Sequence, residues 1–497
     1  MRLGSAAISF LAKQKGNNMQ RKAIVWFRND LRLHDNEALA EALRHTSEIY
    51  PVFVFDDRTF LGNTRFGFRK TGAFRARFII ESVQDLRNSL RGLKGELYVR
   101  VGKPEEVIAE MMRETGSSWV FCNRERTREE VEVQDALERN VWAQGQEICF
   151  SRGKMLYHTA DLPFPVPHTP DVFTQFRKEL EKFVRVREPL PAPQNSFAPP
   201  ACVLAPGEIP TLADFGHEEI EDDPRAVLRF TGGETEGLKR LHYYLWESNL
   251  IKNYKETRNG LLGGDYSSKF SPWLANGCLS PKRIYQEIKR FERERGGNES
   301  TYWLFFELLW RDFFRFMGKK HGDKIFLPGG PKGQPDPRWK DDHARLQRWA
   351  DGQTGIPFID ANMLELKHTG FMSNRGRQNV ASFLAKDLLV NWQMGAEYFE
   401  SMLIDYDPCS NYGNWNYVAG VGADPREDRY FNILTQARKY DPSGDYVKHW
   451  IPQLATLPPE RVHQPEFLAF QEQQQYGVHL GGNYPKAIIQ TRKWQKG

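Results

Sequence analysis

Cysteine is scarce and scattered. The five cysteines (Cys122, Cys149, Cys202, Cys278 and Cys409) are odd in number, far apart and never in C-x-x-C. That pattern signals neither a disulfide framework nor a zinc site and suits a reducing compartment. No metal is expected. No apolar run approaches the ~18 to 20 residues that a membrane span requires, so no membrane association is expected either. The first strand-like run passes into FRNDLRLHD rather than a Gly-rich turn, so the dinucleotide fingerprint of an α/β nucleotide site is missing and any flavin or nucleotide must be held elsewhere. The first 20 residues contain no acidic side chain, a weak likeness to an organelle transit peptide. Met19 is the alternative start of a bacterial chain; the bacterial, cytoplasmic reading is preferred and an organelle is the alternative.

What is present is a globular balance, 27% charged and 40% hydrophobic residues over 497 positions, enough chain for two or three domains and a large core. The net charge of +5 permits contact with phosphates without requiring it. Aromatic residues reach 13%, with 13 tryptophans, a load of π-systems that serves a core or a site for stacked rings.

After an N-terminal extension (1–20), residues 21–154 alternate short apolar runs (AIVWF, EIYPVFVFD, ELYVRVG, SWVFCNR, EICF) with longer amphipathic ones. Five strand-like runs separated by helix-like runs predict a doubly wound α/β domain with a parallel five-stranded sheet. Between Met155 and Phe230 lie 12 of the 29 prolines, which predicts an extended connector (155–233) broken by one amphipathic piece, VFTQFRKELEKFV. From 234 to 480 the periodicity is helical, and several runs are apolar almost all round, predicting a large all-α domain. Residues 481–497 read as a short basic tail.

Three clusters in the helical part carry chemistry. In TYWLFFELLWRDFFRF, the residues Trp303, Glu307, Trp310, Arg311 and Phe314 share one helix face, with Glu307 and Arg311 spaced for an i,i+4 ion pair. In YKETRNGLLGGDYSSKFSPWLANGCLSP, a Gly-Gly and a Ser-Ser pair precede a helix start at Ser271-Pro272, an arrangement suited to a pyrophosphate. In HTGFMSNRGRQNVASF and LIDYDPCSNYGNWNY, Arg375 and Arg377 stand opposite Asp405 and Asp407, with Asn374 and Asn411 as amides. The segment SNYGNWNYVAG (410–420) has too much Gly and Asn for a helix interior and is expected to be irregular.

WFRNDLRLHDN, NGLLGGDYSSKFSPWLANGCLSP, FELLWRDFFRF, GQTGIPFIDANM, FMSNRGRQNVASFLAKDLL and GNWNY occur in this order, and together they resemble the DNA photolyase and cryptochrome family, most of all its DASH cryptochromes. The resemblance implies one non-covalent FAD in the helical domain, its pyrophosphate near Tyr254, Ser267, Ser268 and Ser271, with Arg311 among the binding residues. It implies Arg377 and Asp405 as an ion pair beside the ring system, Asp407 along its pyrimidine edge, and Asn374 and Asn411 facing it, Asn411 at N5. The implied reaction is a carbon-carbon lyase reaction: photoexcited reduced flavin donates an electron to a cyclobutane pyrimidine dimer, the dimer splits and the electron returns. Glu307 would hydrogen-bond the dimer, Trp310 would stack on it, and Trp392, Trp415 and Trp339 would relay electrons inward.

Tyr417 stands where double-strand-acting photolyases carry a second stacking tryptophan, which implies a preference for single-stranded or looped DNA. Ser373 and Asn374 stand where (6-4) photolyases carry paired histidines, which argues against that lesion. An antenna, 5,10-methenyltetrahydrofolate, is implied between the domains, with Glu125 as a contact. The partner would be dimer-containing DNA and the protein a monomer. A blue-light photoreceptor or DNA-binding regulator with little repair activity is the alternative function.

Overall fold

The computed structural model describes residues 22–195, 197, 204–424 and 430–496; the N-terminal extension and Cys202 lie outside them. Five parallel strands, β1 (Lys22–Phe27), β2 (Glu48–Phe55), β3 (Tyr98–Val101), β4 (Trp119–Asn123) and β5 (Glu147–Ser151), form one sheet in the order β3-β2-β1-β4-β5. The doubly wound fold expected from the alternation is present. Its cause is visible along β1, paired in register with β2 from Lys22↔Glu48 to Phe27↔Phe53. Ala23, Val25 and Phe27 enter one core with Ala38, Leu39 and Ala42 of α1 (Glu37–His45). Ile24 and Trp26 enter a second core with Ile108, Met111 and Met112 of α3 (Pro104–Thr115), while α2 (Ala73–Gly92) lies between β2 and β3 in the chain and α4 (Arg128–Ala143) follows β4. A strand buried on both faces must be apolar throughout, as AIVWF is.

The turn after β1 holds the domains together. Arg32, 1% exposed, donates to the carbonyls of Gly277 (2.8 Å), Asp35 (2.9 Å) and Gly153 (3.2 Å). Asp35 pairs with Lys282 at 2.8 Å and accepts from Ser280 Oγ, and Glu234 accepts from the backbone N–H of Leu33 at 2.6 Å. Gly277 has φ +71, and a Cβ there would lie 2.0 Å from the Asn29 carbonyl oxygen, so the two domains touch through bare backbone.

The connector runs over the surface and contributes α5 (Phe173–Phe183), whose Phe173, Phe176 and Leu180 are buried. The helical domain is organised about α8 (Glu299–His321), which follows α6 (Glu234–His242) and α7 (Pro281–Arg295). Leu304, Phe305, Leu308, Leu309, Phe313, Phe316 and Met317 bury α8 nearly all round. Beside it lie α9 (Pro357–Thr369), α10 (Asn374–Ser382), α11 (Trp392–Met402) and α12 (Pro408–Ala419). The chain end is docked: Trp494 is 5% exposed against Phe383, and Lys493 pairs with Asp387 at 2.5 Å.

Residues 408–419 correct the expectation of an irregular segment, because SNYGNWNYVA lies within helix α12. Its ends are fixed by Asp407 Oδ1 accepting from Ser410 N at 2.8 Å, Pro408 in the first turn and Gly420 at φ 82. Gly413 weakens the helix but lets Phe314 approach to 2.4 Å from where a Cβ would stand. Asn411, Asn414 and Asn416 donate to the carbonyls of Ala396, Ser410 and Tyr412. Tertiary contacts override propensity here.

Candidate functional site

Helices α8, α10 and α12, with residues 254–275, enclose a cavity of about 530 Å³ that continues into a second lobe of about 260 Å³. Ser271, Glu307, Arg311, Asn374, Arg377, Asp405 and Asp407 border both lobes. The smaller lobe adds Tyr254, Ser267 and Ser268; the larger adds Trp310, Asn411, Trp415 and Tyr417. The residues expected at the pyrophosphate, the ring system and the lesion therefore share one continuous space.

Its electrostatics come from pairs set by distant segments. Arg377 Nη2 donates to Asp405 Oδ2 at 2.8 Å. Asp405 Oδ1 is buried and has no hydrogen-bond partner among the described residues. A carboxylate oxygen left so costs about 1–3 kcal/mol unless a donor arrives, so the cavity wall is built for a ligand with N–H or O–H groups. Asp407 accepts from Arg315 Nη1 at 2.5 Å. Burial pushes the Asp407 carboxyl up, but the guanidinium groups of Arg315 and Arg311 outweigh it and hold it at about 2. Arg315 continues to Glu125 at 3.2 Å, and Glu125 pairs with Lys154, so an unbroken ion network joins the cavity wall to the end of β4. Glu125 is 2% exposed.

Glu307 and Arg311 do not form the expected i,i+4 pair. Glu307 pairs with Arg258, while Arg311 donates to the carbonyls of Lys154 (2.9 Å) and Leu274 (3.2 Å). Two guanidinium groups compete for one carboxylate, and Arg311 is drawn off by backbone acceptors on its other side. Burial raises the Glu307 carboxyl above its ordinary range, opposed by Arg258. Arg258 borders both lobes, and sequence spacing could not pair it with a residue 49 positions away. Tyr417 donates its hydroxyl to Asp424, another partner that the motifs do not reveal. Trp310 and Tyr417 meet edge to face, ring centroids 6.0 Å apart at 89°.

Of the three expected relay tryptophans, Trp415 borders the cavity, and its buried Nε1 has no partner among the described residues. Its ring lies against Gly395 of α11, where a Cβ would stand 2.4 Å away. Trp392, 0% exposed, opens the same helix. Asn391 N donates to the Lys340 carbonyl at 2.9 Å, which brings half-buried Trp339 and Trp392 onto adjoining backbone. Ser271 is the first residue of its short helix and not the cap, a place taken by Phe270. Among the described residues no cluster of His, Cys, Asp and Glu could hold a metal ion, and no helix is long and apolar enough to cross a membrane.

A doubly wound domain is thus joined to a helical domain with a two-lobed cavity, Ser267 and Ser268 lining only the smaller lobe and carboxylate, guanidinium and amide groups lining both. Residues 303–497 match the FAD binding domain of DNA photolyase, and residues 23–194 match the DNA photolyase domain. The chain is 53% identical to cryptochrome DASH of Gloeobacter violaceus over 94% of its length and 93% of that protein. It is 48% identical to the chloroplastic/mitochondrial cryptochrome DASH of Arabidopsis thaliana, over 93% and 80% of the two chains. The crystal structure of a Synechocystis cryptochrome superposes with a TM-score of 0.93 at 48% identity, covering 97% of this chain and 99% of that one. A class III photolyase from Agrobacterium tumefaciens superposes at 0.81 with 29% identity, covering 97% of each chain. The chain belongs to the DNA photolyase and cryptochrome family, alongside its DASH cryptochromes. The FAD-binding match supports FAD as the cofactor, and the orphaned Asp405 oxygen fits a ligand that brings N–H or O–H groups to this wall.

Proposed function

We propose that this protein is a light-driven lyase that splits cyclobutane pyrimidine dimers, preferentially in single-stranded or looped DNA. The observation that carries this reading is the sharing of one cavity by two kinds of wall. All seven of Arg377, Asp405, Asp407, Asn411, Glu307, Trp310 and Tyr417 line it; the first four would serve as the cofactor side and the last three as the lesion side. When bound, reduced FAD supplies on illumination the electron that opens the cyclobutane ring. Tyr254, Ser267, Ser268 and Ser271 would hold its pyrophosphate, with Arg311 and Asn374 contributing to binding. Arg377 and Asp405 would flank the ring system, Asp407 would meet its pyrimidine edge, and Asn411 would present its amide at N5. Glu307 would hydrogen-bond the dimer's base edge, and its raised proton affinity suits a group that stabilises negative charge on the dimer. Trp310 would stack on the dimer, and Trp339, Trp392 and Trp415 would carry electrons from the surface to the cavity wall.

Extruding a dimer from duplex costs a few kcal/mol, and stacking on an aromatic returns about 1–3 kcal/mol per base. Tyrosine in place of a larger indole at 417 leaves less to offset that cost, which favours single strands. The antenna is assigned to the domain interface near Glu125, as 5,10-methenyltetrahydrofolate. Supporting it, Glu125 lies just past the end of β4 and pairs with Arg315 of α8, so it stands where the two domains meet. An archaeal photolyase solved from Sulfolobus tokodaii, 27% identical with TM-score 0.75, is titled as holding two FAD molecules and implying a novel light-harvesting cofactor; extraction and chromatography of bound chromophores separates folate from a second flavin.

A second reading, a blue-light photoreceptor or DNA-binding regulator with little repair, draws on the relatives being cryptochromes by name. Illuminating the FAD-loaded, reduced protein with a dimer-containing single strand separates the two, because only the lyase returns intact pyrimidines. The cytoplasmic, monomeric state completes the proposal; gel filtration with light scattering checks the second part.

A further inference from the structure

Phe173 lies flat on Trp310, ring centroids 3.6 Å apart and planes 9° from parallel. Phe173 is the first residue of α5, in the connector, 137 positions before Trp310 in the chain. It is 3% exposed, and its ring is held edge-on by Phe306 (5.2 Å, 83°) and Phe313 (5.6 Å, 78°). The helix that carries it is fixed in turn: Arg177 donates to the Tyr302 hydroxyl at 2.5 Å, and Phe176 packs on Phe313 at 5.3 Å. Trp310 by contrast is only partly buried and borders the cavity. One face of its indole is thus consumed by a rigid ring, and the cavity meets what is left.

We infer that Phe173 is a positioning residue for the lesion: it clamps the Trp310 indole in the orientation on which a flipped pyrimidine stacks, with Tyr417 closing the corner at 89°. The inference rests on the lesion side assigned above. An indole without that back wall gains rotamers that must be lost again on binding, and such ordering costs affinity. The connector then shapes the substrate pocket as well as joining the domains.

The test uses Phe173→Leu, which keeps apolar bulk without a planar face, and Phe173→Tyr, which keeps the ring, in FAD-loaded protein. Affinity is measured in the dark for a single strand with one thymine dimer and for the same strand undamaged, and repair per photon is measured at saturating substrate. Phe173→Leu is expected to weaken dimer binding by about two- to tenfold. It should leave undamaged-strand binding, FAD content and saturated repair unchanged, and Phe173→Tyr should restore dimer affinity. Dimer affinity equal to wild type in Phe173→Leu, or equal losses for damaged and undamaged strands, overturns the inference. If Phe173→Leu does not fold, Phe173→Met is read against the same two criteria. Wild-type protein that binds both strands alike overturns the lesion-side assignment itself, a different result from wild-type preference that survives loss of the ring.

Discussion

Arg377 Nη2 lies 2.8 Å from one oxygen of Asp405, while the other Asp405 oxygen is buried without a partner among the described residues. A half-satisfied carboxylate of this kind belongs to a wall completed by its ligand. Asp405→Ala removes that acceptor and leaves the partly exposed Arg377 guanidinium without its carboxylate. FAD should co-purify far below one equivalent, measured as the flavin to protein absorbance ratio. Full flavin content would show that the pair does not serve the cofactor.

Arg258 and Glu307 face the same lobe as an ion pair. Glu307→Ala should keep FAD and bind the dimer, with repair per photon reduced severalfold. Arg258→Ala removes the cation that opposes the upward shift of the Glu307 carboxyl, so its proton affinity should rise further, read as a shift in the pH dependence of repair. Unchanged repair in Glu307→Ala, read by product yield at saturation, removes that residue from the chemistry.

Trp392 opens the helix on which Trp415 rests, and the neighbouring Asn391 N–H donates to the carbonyl of Lys340, next to Trp339. Trp392→Phe should largely abolish photoreduction of oxidised flavin, followed by absorbance under blue light with an external reductant. Repair by chemically reduced protein should persist. Normal photoreduction would place the relay elsewhere.

Tyr417 meets Trp310 at a right angle. Tyr417→Trp enlarges the stacking surface, within the ~1–3 kcal/mol per base that such contacts supply. Affinity for a dimer in duplex DNA should rise severalfold while single-strand affinity changes less. No gain in duplex binding would sever the link between this position and strand preference.

Asp407 is held at about 2, against an ordinary value of 3.8, because Arg315 and Arg311 outweigh the upward push of burial. A folded value below the unfolded one contributes stability that is present above about pH 4 and lost as pH falls towards about 2, on the order of 2–3 kcal/mol. Asp407→Asn should be less stable than wild type at neutral pH, and the gap should narrow through that acid window. Urea midpoints measured across the window check it; a gap independent of pH would mean that Asp407 acts only as the cap of α12.

The sheet was legible because a strand buried on both faces must be apolar throughout, as AIVWF is, and α8 because its Leu, Phe and Trp residues recur at helical spacing between the charges of FELLWRDFFRF. The Arg377–Asp405 pair was legible through the family resemblance, whereas residue type alone left Arg375 and Arg377 open against Asp405 and Asp407. What was not legible depended on partners far apart in the chain. Glu307 was matched with Arg311 on its own helix, whereas the fold gives it Arg258. Phe173 and Asp424 reach the site from other segments and carry no local signal, and Arg315, though on α8, finds its partners Glu125 and Asp407 far away in the chain. Residues 408–419 were read against helix from their Gly and Asn content, although Asp407, Pro408 and Gly420 already marked both helix ends; the cost of Gly413 is offset by its contact with Phe314.

The most direct measurement gives reduced, FAD-loaded protein a single-stranded oligonucleotide containing one cyclobutane thymine dimer and follows the ultraviolet absorbance of intact pyrimidines under blue light. Absorbance should return in the light and not in the dark, faster for the single strand than for the same dimer in duplex. No return in the light, with flavin bound and reduced, would contradict the assignment of this cavity to dimer repair.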